Sequence, residues 1–299
     1  VTNADTFVKL SQAFATANDK IGIGSIEVIS SLGTRFAATL ESTTLKNVFI
    51  TEQMTAAGQT ITFSIVNIYI NGAVVQKTQG KIDDMVTAGK SIDYEITNAD
   101  TFIRASQAFA QANQSISRIE TISTQGVRFA GVLSNGTLKE AFIIGQRTAS
   151  GQMVELVSPL ALLGANGQII IAQAKINSIV KAGQATTASI SDAATFNTAA
   201  ANFATAGVAI KAESAKGTLL TSVVAGTTLT VVSAIGQRTA SGQMVELASP
   251  LALLGAKGQT IEGAQTKIDA VVATANSIDY QVTNADTFVK LSQAFATAN

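Results

Sequence analysis

The spacing of apolar residues along this chain alternates between two periods. In Val1 to Asn18, VTNADTFVKLSQAFATAN, residues Phe7, Leu10, Phe14 and Ala17 recur at intervals of three and four, which places them on one face of an α-helix. From residue 26 the period falls to two and β-branched and aromatic residues are enriched. The stretches 26–29, 35–40, 48–51 and 61–66 therefore read as antiparallel strands. Gly33, the AAGQ at 56–59 and Asn71-Gly72 supply the turns, because Gly and Asn accept positive φ cheaply. Over Gly80 to Gly89 the helical period returns at Ile82, Met85 and Val86, predicting a short second helix that leads into a linking strand, SIDYE, at 91–95. Thr2 and Asp5 stand at capping-box spacing ahead of the first helix, where a hydroxyl and a carboxylate can satisfy free N–H groups.

This order of elements recurs. Ile96 to Asn113 reads ITNADTFIRASQAFAQAN, Ile190 to Gly207 reads ISDAATFNTAAANFATAG, and Val282 to Asn299 matches Val1 to Asn18 at every position. The apolar stripe returns as Phe102 and Phe109, Phe196 and Phe203, and Phe288, Leu291 and Phe295. The cap pair returns as Thr97/Asp100 and Thr283/Asp286, whereas Ser191 with Ala194 keeps only half of it. Gly33, Gly126 and Gly217 mark the same step, as do Gly58, Gly151 and Gly242. The expected fold class is α+β, mainly antiparallel β, built as a tandem repeat of modules of about 94 residues. Each module holds a helix, four or five strands and a short second helix. The boundaries fall at 1–95, 96–189 and 190–281, with 282–299 the helix of a fourth repeat. No Pro-rich or Ser/Gly-rich linker separates the modules, so they are expected to abut.

Residues 144–168 recur at 235–259 with two differences, and SIDY at 91–94 returns at 277–280, a mosaic that points to duplication inside a repetitive gene. The start lacks Met and a secretion-signal pattern, so the sequence is expected to be a window onto a longer polypeptide. The alternative is a mature subunit ending in a lone helix that caps or docks. That last helix still has two rings to bury, against the third repeat, a neighbouring chain, or both.

Composition narrows the function. Lys plus Arg and Asp plus Glu are 20 each, so no basic field draws in nucleic acid, and the self-repulsion that keeps monomers apart is missing. The chain has no Cys and no His, which removes disulfides, thiolate nucleophiles and the commonest metal ligand and general base. No catalytic, cofactor-binding or metal residue is assigned. Gly22-Ile23-Gly24 and Gly164 to Gly167 lack the residues of a phosphate-cradling loop and read as turns. Asp83-Asp84 becomes Asn177-Ser178 and Asp269-Ala270 in the other copies and reads as solvated surface. Asn113 and Asn135 fit the N-glycosylation acceptor pattern.

The expected function is therefore a non-enzymatic, self-assembling structural protein, a subunit or segment of an extracellular filament, sheath or surface layer. Its partners would be copies of itself or adjacent repeats of a longer chain, with no nucleic acid, no membrane span and no cofactor. The repeated phenylalanines and leucines named above are the expected packing and assembly residues. The alternatives are the stalk or spacer of a repetitive cell-surface adhesin, for which Trp is absent and Tyr sparse at any sugar site, and a phage or virion structural protein.

Overall fold

The computed structural model describes residues 1, 3–17, 24–71, 73–75, 78–164, 166–171, 173–255, 259 and 261–298. The fold is α+β and mainly antiparallel β. Two compact units divide the chain, Val1–Ile143 with Ala161–Ile171, and Ile144–Leu160 with Ala172–Asn299.

The first unit opens with α1 (Ala4–Ala17), followed by β1 (Ser25–Ile29), β2 (Thr34–Glu41), β3 (Thr44–Met54), β4 (Thr60–Ile70), the short β5 (Ala73–Val74) and α2 (Thr78–Ser91). It continues with α3 (Ala99–Ala112), β6 (Arg118–Ile122), β7 (Val127–Ser134) and most of β8 (Thr137–Arg147). Its strands lie in the order β1-β2-β3-β4-β6-β7-β8, with β5 folded back on β4. The strands sit where period two predicts them. Gly33 and Gly58, at φ of 80° and 81°, make turns that a Cβ would strain.

The second unit holds β9 (Met153–Ala161, to residue 160), α4 (Gln173–Ala185), α5 (Ala193–Thr205), β10 (Ile210–Glu213), β11 (Thr218–Ala225), β12 (Thr228–Arg238), β13 (Met244–Leu254), α6 (Ala264–Asn276) and α7 (Ala285–Ala298). Its strands run β9-β10-β11-β12-β13. Helices cover one face of each sheet and large side chains fill the space beneath. Phe7, Phe36, Phe102, Phe109, Met85 and Ile61 are fully buried in the first unit, and Phe196 and Phe203 in the second.

Several expectations need correction. The second helix is as long as the first and runs through Gly89 to Ser91. Gly89 stands in the last turn of α2, where a Cβ would lie 2.7 Å from the carbonyl oxygen of Met54, so its absence lets α2 lie close to β3. SIDYE is not a strand. Ile92 is buried, its carbonyl accepts from Ala57 N–H at 3.2 Å and its own N–H bonds back to Gly89, so this backbone ties α2 to the turn before β4 and joins no ladder.

The helix caps also shift by one residue. In α3 the side chain of Asn98 accepts from Thr101 N–H at 3.0 Å while the Thr101 hydroxyl accepts from Asn98 N–H at 3.1 Å, so Thr97 and Asp100 are not the box. Asn3 with Thr6, and Asn284 with Thr287, do the same, and Thr2 lies outside the described residues. The helix expected to have half a box, α5, has a whole one in Asp192 and Thr195. An Asn or Asp side chain is short enough to reach N3 from the cap, and a threonine at N3 answers it.

The apolar stripe of α1 is rotated as well. Ala4, Phe7, Ser11 and Ala15 are buried, while Leu10 and Phe14 are 37% and 43% exposed.

Candidate functional site

Where one sequence copy passes to the next, three features coincide. The first is a glutamine. Gln59 Oε1 accepts the N–H of Ile96 at 2.5 Å, and its Nε2 donates to the carbonyls of Ile96 at 3.3 Å and Ile122 at 3.4 Å. One amide thus ties the start of β4 both to the segment entering α3 and to the last residue of β6. Gln152 repeats this in the second unit, accepting from Ile190 N–H at 2.8 Å and donating to Glu213 O at 3.0 Å. Arg238 grips the carboxylate of Glu213 through Nε and Nη2, both at 2.6 Å, and the hydrogen bonds from this guanidinium hold the Glu213 carboxyl below the usual carboxylate range.

The second feature is a short strand pairing. Ile61, Thr62 and Phe63 of β4 face Thr121, Glu120 and Ile119 of β6, and Glu155 and Leu156 of β9 face Lys211 and Ile210 of β10. The 155/211 pair is also an ion pair at 3.1 Å.

The third is a helix with two phenylalanines that reach different strands. Phe102 of α3 stacks on Phe129 of β7 with centroids 5.1 Å apart, whereas Phe109, two turns on, meets Phe63 of β4 at 4.9 Å. Its first ring serves the strands that follow it in sequence and its second serves those that precede it. Both are fully buried, as are Phe196 and Phe203 of α5.

At the third position these features are half made. Gln243 accepts from Val282 N–H at 2.7 Å and donates back to Val282 O at 3.4 Å, with no strand carbonyl beside it among the described residues. The edge of β13 that corresponds to the paired edges of β4 and β9 faces no strand among the described residues. On α7, Leu291 is buried and Phe295 half-buried, while Phe288 and Val289 are 57% and 51% exposed. A cleft of about 340 Å³ lies between α7 and β13, lined among others by Val245, Leu247, Val271, Phe288 and Phe295.

The opposite deficit is found at α1. Phe7 is buried and stacks on Phe36 of β2 at 5.4 Å, and it is Leu10 and Phe14, the side that precedes it in sequence, that stand in solvent.

Of the ten residues expected to pack, Phe7, Phe102, Phe109, Phe196, Phe203 and Leu291 are buried, Phe295 is half-buried, and Leu10, Phe14 and Phe288 are exposed. Sequence reasoning missed the glutamine, whose signal was present as the final residue of AAGQ, TASGQ and TASGQ at 59, 152 and 243. Those stretches read as turns, and a turn glutamine carries no mark of its partners.

Gly164 to Gly167 closes as a turn, with Gly167 N–H on Gly164 O at 2.9 Å, while Gly22 and Ile23 lie outside the described residues. Asp83 and Asp84 are exposed on α2, Asn113 is buried, and Asn135 is exposed in the turn between β7 and β8. Among the described residues no group of three His, Cys, Asp or Glu could hold a metal ion, and no helix is long and apolar enough to cross a membrane.

No family model matches the chain, and neither a curated protein nor a solved structure is significantly similar to it.

Proposed function

We propose that this chain is a structural, self-assembling repeat protein, a subunit or segment of an extracellular filament, sheath or surface layer, in which modules of about 94 residues at 1–95, 96–189 and 190–281 pack head to tail. One observation carries the reading. The helices α1 and α7 have the same sequence and leave different positions of it uncovered, Leu10 and Phe14 on α1 and Phe288 on α7, whereas α3 and α5 bury both of their phenylalanines.

An exposed phenylalanine forgoes about 1.5–3 kcal/mol of burial. At the internal junctions a neighbouring repeat covers the corresponding faces, so a neighbouring repeat of another copy or of a longer chain would cover these, a heterologous contact that extends as a polymer. The zero net charge and the edge of β13 that no described strand covers support the same reading.

Purified protein, concentrated stepwise into the millimolar range and followed by sedimentation velocity and negative-stain electron microscopy, should form linear filaments or arrays above a critical concentration. A monodisperse monomer throughout that range would overturn the reading.

A further inference from the structure

We propose that a second copy of this chain docks its β1 on the free edge of β13, and that α7 of the first copy then takes the seat on Phe36 held by α1 of the second, which is released. It rests on the self-assembly reading and specifies the joint.

The register follows from the two internal junctions. Phe63 faces Ile119 and Leu156 faces Ile210, and the same step along the repeat sets Leu247 against Ile26 and Glu246 against Glu27. Ile29 then falls where Ile122 and Glu213 fall, and its carbonyl becomes the strand acceptor that Gln59 and Gln152 have and that Gln243 lacks among the described residues. A second copy fits because what covers this edge at the internal junctions is the following copy of the same sequence. In a second molecule β1 is that strand, hydrogen-bonded to β2 alone among the described strands and with Ile29 half exposed.

Only one helix fits the joint. Leu291 and Phe295 already lie on the side of β13 and α6 where Leu10 and Phe14 would be needed, and Phe288 and Phe7 are the same residue competing for one ring, Phe36. The donor's helix stays because Gln243 grips both the N–H and the carbonyl of Val282, while Val1 is held at its carbonyl by Ser31 N–H at 3.4 Å. Exchange buries Phe288 and uncovers Phe7, which nearly cancels, so the gain comes from the strand pairing and the glutamine amide. One contact opposes it. Glu246 meets Glu27, whose carboxylate is also bonded by Arg35 at 3.2 Å, where the 155/211 junction has an ion pair.

The test compares critical concentrations of the wild type with Phe288→Lys, Phe14→Lys and Glu246→Lys. All three positions are exposed in the free chain, and dilute circular dichroism confirms that each variant folds. Phe288→Lys should raise the critical concentration about 10- to 100-fold, because a lysine replaces a ring that becomes buried. Phe14→Lys should leave it unchanged, since α1 is released. Glu246→Lys should lower it about 3- to 10-fold by converting a like-charged pair into an attractive one.

If Phe14→Lys blocks assembly while Phe288→Lys assembles normally, α1 keeps the seat and the exchange is overturned. If filaments form and none of the three substitutions changes them, the joint lies elsewhere, and the proposal falls while self-assembly stands. If neither the wild type nor Glu246→Lys assembles at any concentration, both fall.

Discussion

The first and last helices are the same eighteen-residue stretch in different company. In α1 the ring at the fourth helical position is buried against Phe36 and the ring seven residues later is exposed, whereas in α7 the first ring is exposed and the second is half-buried. The side chains, caps and hydrophobic spacing are identical, so burial here is a property of the neighbouring strands and not of the helix. What is lost at each end differs too. Among the described residues α1 has no strand beside it in the place that β4 holds at α3, and α7 has none in the place that β7 holds. The internal helix α3, which has both, shows what a complete environment does to the same pattern.

That comparison can be broken by substitution at matched positions. The largest effect should come from the fully buried rings: Phe109→Ala and Phe7→Ala should each destabilise the dilute monomer by about 3–5 kcal/mol, as measured by urea unfolding. Phe14→Ala and Phe288→Ala, which are the same positions in the other environment, should each cost below about 1 kcal/mol. Equal costs at Phe109 and Phe14 would mean that α1 is covered in solution.

A smaller effect is expected at the glutamines. Gln59→Ala leaves the N–H of the buried Ile96 without its acceptor and should cost about 1–3 kcal/mol. Gln243→Ala should cost less than about 1 kcal/mol in the monomer, because Val282 is only half-buried and water can replace the amide. The gap between the two variants should narrow once the protein is assembled.

Caps sharpen the comparison further. Asn98→Ala should lower stability by about 1 kcal/mol, and Asn284→Ala by less, since the cap of α7 is exposed and water can replace it.

The smallest effect is the acid dependence contributed by the cap of α5. The backbone N–H of Thr195, and then its hydroxyl, hold the Asp192 carboxyl below its ordinary range. A folded-state pKa depressed in this way contributes stability that is present above the unfolded value, near 3.9, and is lost as pH falls through the folded one. Asp192→Asn installs the cap residue used by α3 and α7. It should leave stability at pH 7 nearly unchanged while removing the acid-dependent part below about pH 4, read from urea midpoints across that range.

Much of this was legible in the sequence. The strands appear where β-branched residues alternate, because a pleated strand repeats every two residues whatever lies beyond it. The helices appear where the period is three to four for the same reason. The caps were misread by one position, since Thr2-Asn3-Ala4-Asp5 offers several side chains able to reach a free N–H and the choice among them is settled by backbone geometry. SIDYE was misread because its residues suit a strand, while the backbone groups of Ile92 are already bonded to α2 and to the turn at 55–58. The packing residues were recognisable as a stripe, but their division between two sets of strands was not.

The amino-acid order alone was sufficient for most of the helices and strands and for their sequence along the chain, because these depend on contacts between residues a few positions apart. Which ring of a helix is covered, which glutamine has its second acceptor and which strand edge is open depend on residues tens of positions away, 63 in the case of Gln59 and Ile122. Two identical segments differ in those respects only because the folded chain puts different neighbours beside them. Burial is a relation between surfaces, and no local pattern encodes the second surface.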